Sequence, residues 1–260
     1  MQMSSSAGGD PIRFMDCHCH VGSFEGMEEP HFTEVEDLLA EMKHLGISDA
    51  LVTHRWASRW SPRLGNEKLE EIIAPYANLY PCYVALPPTT GEIAPPAEFA
   101  RAVRANHGAV RVCPSDHQWR LTDWCAGELL DALEAESIPV LVAMQQTSWD
   151  DIAGTLERHA GLSIIVLDTS YRINRSIYPL FARYPTLRLE IHSYQIPWGI
   201  EDVTERFGPE RLVFGTGLPE SDGGGPISQV MYSRLPGEQK ALIAGGNLRR
   251  MLGIEEEPTR

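Results

Sequence analysis

The densest chemistry in the chain is a run of five residues, Asp16-Cys17-His18-Cys19-His20. On an extended strand successive side chains alternate faces, so Asp16, His18 and His20 are expected to point one way and Cys17 and Cys19 the other. Two imidazoles side by side on one strand suit a borderline-soft divalent metal such as zinc. A metal site using all four Cys and His residues is ruled out on this reading, because the two pairs diverge. The cysteines are expected to pack against helices as small apolar groups. The plainer alternative is a pair of histidines hydrogen-bonded at a strand end.

The elements that would carry these residues alternate regularly. Short β-branched runs are spaced by longer helical patterns, the signature of parallel β/α units. Strands are predicted over 13–21, 48–54, 79–86, 109–113, 140–144, 163–168, 187–192 and 212–216. Helices are predicted over 33–45, 67–76, 96–106, 126–136, 149–159, 177–184, 201–207, 227–235 and 238–252. Eight units in 260 residues fit a closed barrel of roughly 250 residues better than an open sheet, and no glycine-rich phosphate loop follows the first strand. The fold class expected is α/β, a single (β/α)8 TIM barrel over 13–254, behind a disordered tail over 1–12.

In such a barrel the strand ends meet at one mouth, which is where chemistry is kept. Asp168 shares a predicted strand face with Ile164 and Val166. Glu190 and His192 share one with Arg188. Asp168, Glu190 and His192 are therefore expected to converge with His18 and His20. The expected metal ligands are His18, His20, His192 and Asp168, with Asp168, Glu190 and His192 as the catalytic groups. Imidazoles plus a carboxylate with one position left open suit a catalytic divalent metal, zinc first. The alternative is that the acids simply pair with Arg188 or Arg172. Glu220, just past the last strand, could bring a further carboxylate from a loop. His54, Arg55, Arg111 and His117 are the candidate substrate-binding residues. Arginines near Trp56, Trp60 and Trp119 suit a planar carboxylate through paired hydrogen bonds and stacking, although loop packing explains any one of them.

Composition narrows the partners. A formal net charge of −14 favours solubility and opposes binding to a nucleic-acid backbone or an anionic membrane. No apolar run approaches the ~20 residues that span a bilayer. Residues 1–10 are polar and lack the apolar core of a secretory signal. Five scattered cysteines make a poor disulfide framework, so a reduced, cytoplasmic setting is expected. The partner expected is a small-molecule substrate, and a homo-oligomer is left open.

The first strand resembles the Asp-x-His-x-His signature of the amidohydrolase superfamily. The segments Arg211-Leu-Val-Phe-Gly-Thr-Gly-Leu-Pro219 and Gly246-Asn-Leu-Arg-Arg-Met-Leu-Gly253 resemble the end of its amidohydrolase-related branch. That branch includes aminocarboxymuconate semialdehyde decarboxylase, related decarboxylases and lactone hydrolases. The similarity spans nearly the whole chain. It implies a barrel mouth holding a divalent metal, usually zinc, that activates water or a substrate carboxylate. Three positions depart from the family pattern. Gly217 stands where the eighth strand usually carries an Asp that is both ligand and base. Ala143 replaces a fifth-strand His, and Asp168 falls where a sixth-strand His is expected.

The function expected is that of a metal-dependent enzyme acting on a small carbonyl or carboxylate compound. Hydrolysis of an amide or lactone and non-oxidative decarboxylation both fit. One alternative, motivated by Gly217 and Ala143, is a degenerate barrel that binds a small molecule without catalysis. Another is a TatD-type nuclease, which shares the Asp-x-His-x-His start but is disfavoured by the acidic charge and the closing segment.

Overall fold

The computed structural model describes residues 12–23 and 32–254. Apart from Ile12, the tail expected over 1–12 lies outside the described residues. Eight parallel strands pair in chain order: β1 Phe14–Val21, β2 Ile47–His54, β3 Leu79–Ala85, β4 Ala109–Val112, β5 Val140–Ala143, β6 Ile164–Leu167, β7 Leu187–Glu190 and β8 Leu212–Val213. The helices around them are α1 Val35–Leu45, α2 Arg55–Arg59, α3 Pro62–Ile73, α4 Pro96–Ala105, α5 Asp123–Ala135, α6 Trp149–Arg158, α7 Asn174–Arg183 and α8 Gly199–Phe207. The chain ends in α9 Gly224–Met231, α10 Gly237–Ala241 and α11 Asn247–Leu252, with a π-helical turn before α11.

The sheet closes on itself. Cys17 N donates to Phe214 O at 3.0 Å, His20 N to Leu218 O at 2.9 Å, and Gly217 N to His18 O at 3.0 Å. The carboxylate of Asp16 reinforces this seam by accepting from His18 N at 2.8 Å, Thr216 N at 3.0 Å and Thr216 Oγ1 at 2.5 Å. The (β/α)8 TIM barrel expected from the alternation is the fold formed.

Period-two burial explains why these strands sit as they do. Leu141 and Ile165 point to the barrel axis beside Met15, Leu51, Cys82 and Val213. Their neighbours Val140, Val142, Ile164 and Val166 face the helices and join Leu38, Leu129, Ile177 and Val203 in the outer core. Strands buried on both faces read as continuous apolar runs, as these do. Leu248 and Leu252 of α11 join the axial cluster. Arg249 on the same helix holds Asp49 Oδ2 at 2.5 Å, Ser48 Oγ at 3.1 Å and Arg13 O at 3.2 Å.

Three local expectations are corrected. Cys17 faces the axis rather than the helices, while Cys19 does face the outer core. The register accounts for this: Asp16 to Cys19 on β1 spans the same rungs as Ala50 to Val52 on β2, so β1 carries one extra residue. A bulge of this kind changes the facing of residues on one side of it relative to those on the other. Asp16 consequently lies in the seam and does not share the open face of His18 and His20. On β6, Ile164 and Val166 pack outward, so Asp168 does not reach the mouth by sharing their face. It lies past the strand end with φ 51°, in the left-handed region, and that turn redirects its side chain. Finally, the helix predicted over 67–76 is α3, and it starts earlier. Ser61 Oγ accepts from Leu64 N and Pro62 occupies the first turn, a start signal written in the sequence.

Candidate active site

At the C-terminal mouth of the barrel lies a cavity of about 300 Å³. His18 and His20 reach it from β1, Arg111 from β4, Ala143 from the end of β5, Asp168 from the turn after β6, and His192 just past β7. Arg55 and Arg59 of α2 and Glu220, beyond β8, complete the wall. Beneath them Glu190, the last residue of β7, is fully buried.

Four groups crowd together here. Glu190 Oε2 lies 2.6 Å from His192 Nδ1 and 3.8 Å from His18 Nδ1. Asp168 Oδ1 stands 3.9 Å from His18 Nδ1 and 3.7 Å from His192 Nε2. Burial alone would push the Glu190 carboxyl up, but the imidazoles of His18 and His192 outweigh it and hold the group down at about 2. Burial would likewise pull His192 down, yet the hydrogen bond and charge of Glu190 raise it above its ordinary value. Glu190 also accepts from His192 N at 2.5 Å, so the carboxylate fixes both ring and backbone of that histidine.

The residues fit a divalent cation. His18, Glu190 and His192 offer donor atoms that all lie within 4.8 Å of one another. His18 Nδ1 is buried with no hydrogen-bond partner, a cost that a cation would relieve. His20 is arranged differently: its Nε2 accepts from Arg111 Nη1 at 2.9 Å, while its Nδ1 has no partner and lies 3.7 Å from Glu220 Oε2. Burial first, and the Arg111 charge second, keep His20 neutral by lowering its pKa well below the usual value.

Glycines explain how a carboxylate from β7 fits here. A Cβ at Gly215 would stand 2.7 Å from Glu190 Cγ, so only a glycine leaves Glu190 its room. Gly217, at φ 74°, would place a Cβ 3.1 Å from His192 Nε2 and 3.2 Å from Ser221 Oγ. A side chain at Gly217 would therefore press on His192 and would have to adopt a left-handed backbone.

Arg55 and Arg111 are both buried, and three arginines gather on one side of the cavity. Arg55 contacts Glu220, and Arg59 Nη1 donates to Asp116 Oδ2 at 3.0 Å. Burial, then the charges of Arg59 and Arg111, lower the Arg55 guanidinium to about 10. An anion entering beside these guanidiniums would relieve that repulsion.

Of the residues singled out from sequence, the structure gathers His18, His20, Arg55, Arg111, Asp168, Glu190 and His192 at this mouth. It does not bring His54 or His117 there. His54 Nδ1 accepts from Trp56 N at 3.2 Å as the N-cap of α2, and its ring lines a separate cleft with Lys68 and Tyr76. His117 sits in the turns after β4, in a third cleft with Trp119 and Trp124. Gln145 and Gln146 also line the mouth, and sequence reasoning missed them. Their place directly after β5 was the available signal, since barrel strand ends feed the site. Gln145 Nε2 donates to Asp168 O at 3.1 Å, and Gln146 Oε1 accepts from Asp116 N at 3.0 Å.

A closed β/α barrel with histidines and carboxylates converging at its C-terminal mouth defines the class of amidohydrolase-type barrels. The family model described as Amidohydrolase matches residues 15–254, and the chain belongs to that family. No curated protein matches the chain. Among solved structures, an uncharacterized TIM-barrel protein of Bordetella bronchiseptica superposes with TM-score 0.71 at 18% identity, covering 94% of this chain and 99% of that one. The 5-carboxyvanillate decarboxylase of Sphingomonas paucimobilis gives 0.69 at 12% identity, covering 94% and 100%. A dihydroxybenzoic acid decarboxylase of Polaromonas sp. JS666, solved with manganese and the inhibitor 2-nitroresorcinol, gives 0.70 at 13% identity, covering 95% and 98%.

Proposed function

We propose that this chain is a metal-dependent enzyme that removes carbon dioxide non-oxidatively from a small carboxylate-bearing compound. The observation that carries the reading is the meeting of His18 and His192 in one cavity, backed by the buried Glu190, beside the buried guanidiniums of Arg55 and Arg111. Family membership supports an enzyme of the hydrolase or decarboxylase kind. The cavity volume suits a small substrate, being at the lower end of ligand sites.

His18, Glu190 and His192 would hold a divalent cation, zinc or manganese, with the Asp168 carboxyl standing beside it. Such a cation supplies Lewis-acid polarisation of a substrate oxygen. Arg55 and Arg111 would bind the carboxylate, for which planar guanidinium geometry is suited. When the carbon–carbon bond breaks and CO2 leaves, the electron pair left on carbon takes a proton. Asp168, the carboxyl at the open edge of the cluster, would relay that proton from solvent. With Gly217 at the usual strand-eight position, no acid there deprotonates a water, which is why hydrolysis is the second choice.

The test is a panel of small aromatic and unsaturated carboxylic acids, lactones and amides, assayed with added zinc or manganese for CO2 release and for acid release. CO2 from one or more acids is expected. Lactone or amide cleavage without CO2 would overturn decarboxylation, and no turnover with no metal uptake would favour a binding barrel. Within the same reading, 13–254 forms one catalytic domain, the substrate is a small molecule rather than nucleic acid, and the five unpaired cysteines fit a reducing cytoplasm.

A further inference from the structure

A second cluster lies on the outer, helical layer, on residues that do not line the mouth. His159 ends α6, is 2% exposed, and neither of its ring nitrogens has a hydrogen-bond partner. Its Nδ1 stands 3.1 Å from Asp131 Oδ1 and 3.7 Å from Glu134 Oε2. Asp131 and Glu134 are three residues apart on α5 and so share a helix face. The three donors lie within 4.8 Å of one another.

Ligands at roughly 2.0–2.2 Å from a tetrahedral zinc stand about 3.3–3.6 Å from each other. The two distances from His159 Nδ1, 3.1 and 3.7 Å, bracket that range. The surroundings are also those of a metal site. Glu134 Oε1 accepts from Gly161 N at 2.5 Å, which anchors the carboxylate and leaves Oε2 for the histidine side. The other ring nitrogen of His159, Nε2, faces Asp123 Oδ1 at 3.7 Å, and Asp123 is itself held by Arg158 at 2.9 Å. A carboxylate behind a ligating imidazole is the usual outer partner that sets its tautomer. A merely ionic cage would put a ring N–H in line with one of these acids, and here none is aligned.

We propose that His159 Nδ1, Asp131 and Glu134 form a second divalent-cation site that clips α5 to the end of α6. An imidazole among the donors selects zinc-like cations over magnesium or calcium. Asp131 is exposed, so the site is open to solvent and can load without unfolding. The proposal does not depend on the reaction at the barrel mouth.

The test is zinc counting on the full chain after dialysis at micromolar free zinc. Asp131→Asn combined with Glu134→Gln is the variant of choice, since Asp131 is exposed, Glu134 is only half-buried, and Gln can still accept from Gly161 N. This variant is expected to hold one equivalent less than the native protein, whether or not the mouth is loaded. His192→Ala should leave that equivalent in place, and zinc should still raise its melting temperature. Equal zinc content in the native protein and the Asn/Gln variant would overturn the proposal. His159→Gln serves as a third arm and should lose the same equivalent, with circular dichroism reporting whether it folds.

Discussion

Glu190 is the residue on which the mouth turns. It is fully buried, ionised, and hydrogen-bonded to His192 while facing His18. Glu190→Gln keeps the shape and removes the charge. Zinc or manganese affinity at the mouth, measured by chelator competition, is expected to fall at least 10–100-fold, with far-ultraviolet circular dichroism unchanged. Unchanged affinity would mean that Asp168 and the histidines suffice as ligands. A second single-residue effect concerns pH. Burial, then the Lys68 charge, lower the His54 pKa from its ordinary value to about 4, in keeping with an imidazole that accepts Trp56 N and must be neutral to do so. A lowered folded-state value means that this group's stability is complete above the unfolded pKa near 6.5 and is lost as pH falls toward the folded one. The contribution is on the order of 1–3 kcal/mol. His54→Asn retains a capping oxygen without titrating, so the fall in melting temperature between about pH 7 and pH 5 should become shallower. An unchanged slope would remove His54 as its source.

At the scale of elements, α11 fastens the N-terminal end of the barrel. Its Arg249 reaches Asp49 and Ser48 on β2 and the carbonyl of Arg13 before β1. Arg249→Met leaves Asp49 with Ser48 Oγ at 2.6 Å and the half-exposed Arg13 at 3.7 Å, so it should cost roughly 1–3 kcal/mol in urea unfolding. Adding Asp49→Val should recover a large part of that loss, since an apolar replacement of both members removes the weakly paired buried charge. Failure to recover would show that the backbone and Ser48 contacts, rather than the ion pair, carry the clamp. β1 shows how far an element's facing can be read in advance. Its strand character and the placing of His18 and His20 at the mouth follow from local pattern. The inward turn of Cys17 does not, because the bulge arises from pairing with β2 and is invisible within β1 itself.

At the scale of the whole molecule, a cation at the mouth would tie β1 to β7, the strands on either side of β8. Ligand binding to the folded state alone stabilises by about 2.7 kcal/mol at a hundredfold excess over Kd. In the Asp131→Asn, Glu134→Gln background, which isolates the mouth, added zinc should raise the melting temperature and a chelator should reverse the rise. No shift would contradict metal binding there. Among the described residues no helix is long and apolar enough to cross a membrane.

The sequence by itself determined the eightfold alternation, the barrel, and which strand ends carry imidazole, carboxylate and guanidinium. Those are consequences of local periodicity, which every residue shares with its near neighbours. Tertiary structure alone decided how the groups meet. Asp168 enters the mouth through a left-handed turn and not through its strand face. His20 gives its Nε2 to Arg111, 91 positions away, and Asp16 closes the seam with Thr216, 200 positions away. His54 and His117 leave the mouth because a helix cap and a separate cleft claim them. The His54 cap is local, its partner Trp56 N lying two residues on, but the contacts of His20 and Asp16 join residues that only barrel closure brings into the same small volume.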